Sequence, residues 1–274
     1  MSLATQIRTQ LQTLNLPPPS QPWLQTLISA RNPPPPLPSL VMTAKTRLLA
    51  SDLTTPGLLD PAATSTLCFP PNTNTNINGT NGTNGTNGST TTNVSIREAR
   101  LARDVYVQVL DVENLSRSRW DQVEELEAVE RGERTRGREV IRLPVNGGGD
   151  GDEQDGSAGA QQTPAQPEPP QSGAGAGGTG PNKNATHRLV LQDCKGQKVF
   201  AVELTRIPRI AIGTLNIGEK ILLRKGTVVA RGTVLLEPGT CHFLGGKVEA
   251  WQKAWLEGRL ARLRETVGPD RPPG

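Results

Sequence analysis

The chain has 274 residues, 53 of them Gly or Pro, and its hydrophobic class reaches only 34 % against roughly 45–50 % in ordinary globular domains, so much of it is excluded from any core. Net charge is only +4, yet residues 187–274 carry a balance of +7 and residues 104–155 one of −7; the basic region can approach a polyanion, while the acidic one repels it unless it is aimed at a protein. Four Trp, three Phe and one Tyr are too few for a wall of stacking rings, and no stretch nears the roughly 18 apolar residues of a membrane span.

The first 54 residues read as a three-helix bundle. Leu3, Ile7, Leu11 and Leu14 recur at helical spacing, and residues 1–14 lack the apolar block of a secretory signal. The protein is therefore expected to be soluble and intracellular, with no membrane partner. Ser20 offers a cap and Pro22 a first turn to a second helix carrying Trp23, Leu24, Leu27 and Ile28. A third is predicted near residues 40–53, with Val41, Ala44, Leu48 and Leu49 as its stripe. Residues 17–19 and 33–36 punctuate the gaps, because proline cannot continue a helix interior.

Residues 55–95 lose this periodicity and are expected to be a low-complexity spacer. Within them, 78–88 is a perfect Asn-Gly-Thr repeat. Order is expected to return at Ile96, with a short basic helix over 97–103 and a strand over 105–112 partly buried on both faces. Trp120, Val123 and Leu126 then share a helical face amid Asp121, Glu124, Glu125, Glu127 and Glu130. Residues 139–145 resemble another strand.

Residues 146–184 contain no Val, Ile, Leu, Met, Phe, Trp or Tyr, and Gly and Pro fill 16 of their 39 positions. Such a segment cannot offset its ordering entropy and is expected to be disordered. Taken alone, it looks like an interdomain linker. The C-terminal part has the strongest pattern. Strands are predicted over 188–193, 198–204, 220–223, 227–236 and 241–244, separated by Gly-bearing turns, as in a small all-β barrel. A single long helix is predicted over 247–267, with Arg259, Arg262 and Arg264 in its last turns.

A catalytic reading finds little. His187 and His242 have no patterned partner, and Cys68, Cys194 and Cys241 sit at no metal-ligand spacing, so neither an enzyme, a metal site nor a cofactor is expected. Gly173, Gly175 and Gly178 fit a dinucleotide fingerprint but follow no strand; Gly245-Gly246-Lys247 fails as a phosphate loop, because Cys241 and Val248 replace its first Gly and its Ser or Thr. A small basic barrel raises nucleic-acid binding instead. Lys198, Arg206, Arg209, Lys220, Arg224, Lys225 and Arg231 are candidates to neutralise phosphates. Only Phe200 and Phe243 could stack bases, at about 1–3 kcal/mol each, so weak, salt-sensitive DNA contact is expected. A stand-alone single-stranded-DNA-binding OB protein is the alternative function.

Several runs together resemble the RecQ-mediated genome instability protein 1 family in its short fungal form. They are Leu-Val-Leu-Gln-Asp at 189–193, Val199 to Leu204 with Ile207-Pro208, Leu-Asn-Ile-Gly-Glu-Lys-Ile at 215–221, and Leu-Leu-Glu-Pro at 235–238 leading to Leu-Gly-Gly-Lys-Val-Glu-Ala at 244–250. Pro22-Trp23-Leu24 and residues 48–53 look like that family's helical bundle, and residues 106–126 like its first barrel strand and following turn. The resemblance implies an α+β chain: bundle 1–54, then an OB-fold barrel over 96–267 with a long inserted loop at 146–184 and a C-terminal helix. It also implies a nuclear, non-catalytic subunit that joins a RecQ-family helicase to a type IA topoisomerase, topoisomerase III, for dissolving double Holliday junctions. On that template 146–184 lies inside one domain and reaches the topoisomerase gate. Docking is expected through the Leu236, Glu237, Pro238 turn and through Leu244, Gly245, Gly246 and Lys247, the alternative for the two glycines being a tight turn before the helix. A further contact is expected from the loop's flank at Trp120, Val140, Ile141 and Leu143.

Overall fold

The hydroxyl of Ser2 accepts the Thr5 amide at 3.3 Å and starts α1 (Leu3–Thr13), whose Ala4, Ile7 and Leu11 are buried on one stripe. This computed structural model describes residues 2–70, 97–133 and 185–268. Ser20 caps α2 (Gln21–Ser29) by accepting the Trp23 amide at 3.3 Å, with Pro22 in the first turn as its spacing predicts. The third helix, α3 (Leu37–Ala50), starts earlier than predicted, because Pro38 falls in its first turn, where no amide is required. Its Leu40, Val41, Ala44, Leu48 and Leu49 close the bundle core with Leu24 and Leu27.

The spacer reading of 55–95 is corrected over its first part. Leu58 and Leu59 are buried, and α4 (Pro61–Thr66) begins at Asp60, which accepts the Ala62 amide at 3.0 Å and pairs with Arg8 of α1. Too short for a periodic pattern, this stretch is held by irregularly spaced side chains: Leu58, Leu59 and Cys68 join the bundle core and Phe69 the barrel core. The Asn-Gly-Thr repeat lies outside the described residues.

The barrel sheet is built from β1 (Ala99–Arg100), β2 (Val105–Asn114), β3 (His187–Asp193), β4 (Lys198–Glu203), β5 (Lys220–Leu223), β6 (Val228–Ala230), β7 (Thr233–Leu236) and β8 (Cys241–Gly245). Its order is β1-β6-β7-β4-β3-β2-β5-β8, and every pair is antiparallel except β4 with β7. The predicted basic helix at 97–103 is absent. Instead Ala99 and Arg100 pair with Val229 and Val228, and Leu101 exchanges backbone bonds with Gly226 and Thr227, so their amides are satisfied by neighbouring backbone.

On β2, Val105, Val107 and Val109 enter the barrel core, while Tyr106 and Gln108 are buried against the bundle. Both faces of the strand are thus covered, as its continuous apolar pattern predicts. A bulge between Val109 and Asp111 aims the Asp111 carboxylate at the Trp255 indole N–H, 2.6 Å away. The predicted single helix over 247–267 is two helices, α6 (Glu249–Glu257) and α7 (Arg259–Val267). They meet at Gly258, where the Arg262 guanidinium folds back onto the Trp255 carbonyl at 2.8 Å and would lie 2.8 Å from an added Cβ.

Bundle and barrel share buried polar groups. Gln108 accepts the Leu53 amide at 3.0 Å and donates to Asp52 at 2.6 Å and Gln192 at 3.0 Å. Asp193 accepts amides from Phe69, Lys195 and Gln197; burial nevertheless pushes its carboxyl up. The chain is therefore a helical domain seated on one outer face of an OB-fold sheet, with further helices at the barrel's ends.

Candidate protein-docking surface

The structure corrects the predicted docking turn. Leu236 is fully buried in the barrel core, and Leu244 packs against the bundle. Gly245 and Gly246 both sit at φ +85°, and a Cβ on Gly246 would lie 2.5 Å from the Leu49 carbonyl oxygen. Leu236 is thus withdrawn from any partner, and Leu244 and Gly246 are engaged by the bundle, whereas Gly245 stays half-exposed. Their apolar and glycine content is explained by that close approach. Pro238 and Lys247 are exposed and Glu237 is half-buried, with Lys247 paired to Glu249 at 2.7 Å.

Most of the predicted phosphate ligands are engaged internally. Lys220 is buried, its ammonium donating to the Gly218 carbonyl at 2.6 Å, which removes it from any DNA surface. Burial pushes that ammonium down to about 8, opposed by the nearby Asp52 carboxylate. Arg206 donates to Glu203 and to the Ile207 and Ile210 carbonyls, Arg209 to Glu219, and Arg224 to Asp104 and Asn15. Lys198, Lys225 and Arg231 are exposed. The two candidate stacking rings each have a face taken by a guanidinium, Arg188 lying 5.0 Å from the Phe200 centroid and Arg209 5.5 Å from that of Phe243.

A surface the sequence reading passed over lies on the outward side of β3, β4 and β7. Their alternation sends Leu189, Leu191, Val199, Ala201, Val234 and Leu236 inward. Val190, Phe200, Val202 and Leu235 point the other way, and the register sets Val190 beside Phe200 and Val202 beside Leu235. Leu204 extends the strip and is 59 % exposed. The strand 198–204 is apolar at both parities, a pattern that shows two apolar faces on a strand with one core side. The bundle covers the equivalent outward positions of β2 and β5, Tyr106 and Leu222. No described helix contributes to either core cluster at the β3–β4–β7 strip.

The inserted segment follows the fifth helix. After β2 the chain forms α5 (Arg119–Glu130), which Ser118 caps by accepting the Asp121 amide at 3.0 Å and which carries half-buried Trp120. Its placement against α7 is fixed by Arg264 on Glu127 at 2.8 Å and Arg259 on Gln122 at 3.4 Å. Val140, Ile141, Leu143 and the loop 146–184 lie outside the described residues. The return into β3 is pinned where Thr186 donates to Ser116 at 2.8 Å and accepts the Leu115 amide at 2.9 Å. One residue later, His187 Nδ1 lies 2.8 Å from Glu203. Burial pushes the Glu203 carboxyl up, but hydrogen bonds from His187, the Ile207 amide and Arg206 outweigh it and hold the group below its ordinary range.

Among the described residues no group of three or more His, Cys, Asp or Glu side chains could hold a metal ion, and no helix is long and apolar enough to cross a membrane. Burial pushes the thiols of Cys194 and Cys241 up to about 12 and about 11, which keeps them protonated and poor nucleophiles.

Comparison with known proteins agrees with this architecture. Residues 11–56 match the family described as "RMI1, N-terminal helical domain" and residues 78–259 that described as "RMI1, N-terminal OB-fold domain". RecQ-mediated genome instability protein 1 of Schizosaccharomyces pombe (strain 972 / ATCC 24843) is similar, with 28 % identity over 163 residues, 59 % of this chain and 63 % of that protein. The match thus spans less than two thirds of the curated relative's length. With its helical bundle seated on an OB-fold sheet and both domains matched, the chain belongs to the RMI1 family of OB-fold genome-stability proteins.

Proposed function

We propose that this chain is a non-catalytic nuclear subunit that binds and regulates a type IA topoisomerase, topoisomerase III, and links it to a RecQ-family helicase for double Holliday junction dissolution. The observation that carries the reading is the outward apolar strip of β3, β4 and β7, with Leu204 59 % exposed at its end. A strip of large apolar side chains on an outward sheet face favours a protein partner over a polyanion. The RecQ-mediated relative supports the helicase half of the proposal.

In this mechanism the strip supplies the stable dock and the inserted segment 146–184 acts on the topoisomerase gate. A segment that prefers the open gate shifts its population only by the difference in its affinity for the two states, so weak contact there suffices. Deleting 146–184 is expected to leave topoisomerase binding intact and to change the rate of decatenation. An unchanged rate would contradict the gating half of the proposal. Paired arginines and half-covered rings disfavour tight capture of single strands. Fluorescence anisotropy tests that rival: sub-micromolar binding of labelled single-stranded DNA at physiological salt, without a partner, would favour it.

A further inference from the structure

Between α5 and α7 lies an open cleft of about 430 Å³, lined by Trp120, Val123, Glu127, Arg264, Glu265 and Val267 before it ends at Gly268. Its floor is apolar: Val123 is buried, and Trp120 and Val267 are half-buried. Arg264 and Glu127 neutralise each other across it. Glu265 of α7 is the exposed acid of the lining, and Arg131 just past α5 lies 3.7 Å from Glu127. An apolar floor with one exposed carboxylate fits a short apolar segment that carries an arginine.

We propose that residues 140–145 of this same chain, Val-Ile-Arg-Leu-Pro-Val, dock in the α5–α7 cleft and tether the inserted segment to the C-terminal helices. Three observations converge on this occupant. The first is reach. Six residues separate Glu133, the last described position after α5, from Val140, and an extended run of that length spans roughly 20 Å. Ten residues of helix and turn lead back from Glu133 to Val123, roughly 15 Å at helical rise. Val140 can therefore reach the cleft with length to spare.

The second is composition. Val140, Ile141, Leu143 and Val145 are the only Val, Ile, Leu, Met, Phe, Trp or Tyr residues between 134 and 184. The chain's other candidate, 269–274, starts at the cleft's end but reads Pro-Asp-Arg-Pro-Pro-Gly and has no large apolar side chain for the floor. The third is charge. Arg134, Arg136, Arg138 and Arg142 accompany the apolar run, and Glu265 of the lining is exposed to meet one of them. The inference goes beyond the topoisomerase reading and is tested without that enzyme.

The test uses the full chain alone. With Ile141→Cys and Val267→Cys together, mild oxidation is expected to give an intrachain disulfide between 141 and 267, mapped by mass spectrometry. The native thiols are Cys68 and Cys194, both buried, and half-buried Cys241, and wild type oxidised in parallel gives their background. In parallel, Val140→Asp with Leu143→Asp is expected to cause a loss of hydrogen-exchange protection in α5 and α7 with no change in the barrel strands. Absence of the 141–267 disulfide, or a concentration-dependent interchain disulfide showing that a second copy fills the cleft, would overturn the proposal. So would exchange in α5 and α7 that the double aspartate variant leaves unchanged. Neither readout involves a topoisomerase, so a failure here is distinct from a failure of topoisomerase binding.

Discussion

Gly246 approaches Leu49 so closely that a Cβ on the glycine would lie 2.5 Å from the leucine's carbonyl oxygen and 2.7 Å from its Cβ. This contact seats α3 on the strand β8 and makes the Leu-Gly-Gly run a joint between domains. Gly245 beside it has the same φ of +85° but meets nothing nearer than an Arg209 nitrogen at 4.0 Å. The pair separates backbone strain from steric exclusion. Gly245→Ala is expected to cost about 1–2 kcal/mol, the penalty of a left-handed backbone for an L residue. Gly246→Ala adds a clash with main chain that cannot swing away and is expected to exceed about 3 kcal/mol. Equal losses in urea unfolding of the two variants would contradict the joint.

The same joint holds the buried Lys220 ammonium, pushed down by burial to about 8 from an ordinary 10.5. Between those values the unfolded chain binds more protons than the folded one, so stability rises with pH as the buried ammonium gives up its proton. Lys220→Met lacks this dependence. From pH 8 to 10.5 the wild type is therefore expected to gain on Lys220→Met, by up to about 3 kcal/mol. Parallel pH profiles of the two proteins would show that Lys220 is not desolvated.

Glu203 has the same sign of pH dependence in an acid window, but here it is the charged form that the fold stabilises. Its folded carboxyl is held below the ordinary 4.5, so its contribution is present above that value and lost as pH falls through the lowered one. Glu203→Gln leaves Arg206 without its anionic partner at the root of the inserted segment and is expected to cost about 3 kcal/mol at pH 7. Acid titration of unfolding checks this: the gap between the two proteins narrows as pH drops below 4.5. A gap that persists unchanged to low pH would assign the loss to packing.

How far the sequence carried the fold depended on whether an element's pattern came from its own neighbours. Ser20 and Pro22 announced α2 because capping is local. The continuous run at Val105 to Val109 announced a strand covered on both sides. Residues 97–103 misled, because their backbone is satisfied by β6, far along the chain. Residues 58–69 were missed because single side chains in two different cores carry no period. The docking turn misled for a related reason: Leu236 and Leu244 are apolar because they face the barrel core and the bundle, and neither destination is written in the adjacent residues. Lys220 looked like a surface charge, although its alternation with Ile221 and its place in a central strand set it at the domain joint.

The strip of Val190, Phe200, Val202, Leu204 and Leu235 is the surface on which the proposed function rests, and Leu204 is its most exposed residue. The most direct measurement is the affinity of topoisomerase III for wild type and for Leu204→Asp, with thermal unfolding recorded for both. Because Leu204 lies outside either core, the variant is expected to unfold within about 0.5 kcal/mol of wild type, as surface changes do. Its binding is expected to weaken at least about tenfold, the loss of one apolar anchor of the strip. A Leu204→Asp protein that folds normally and binds the topoisomerase as tightly as wild type would contradict the account.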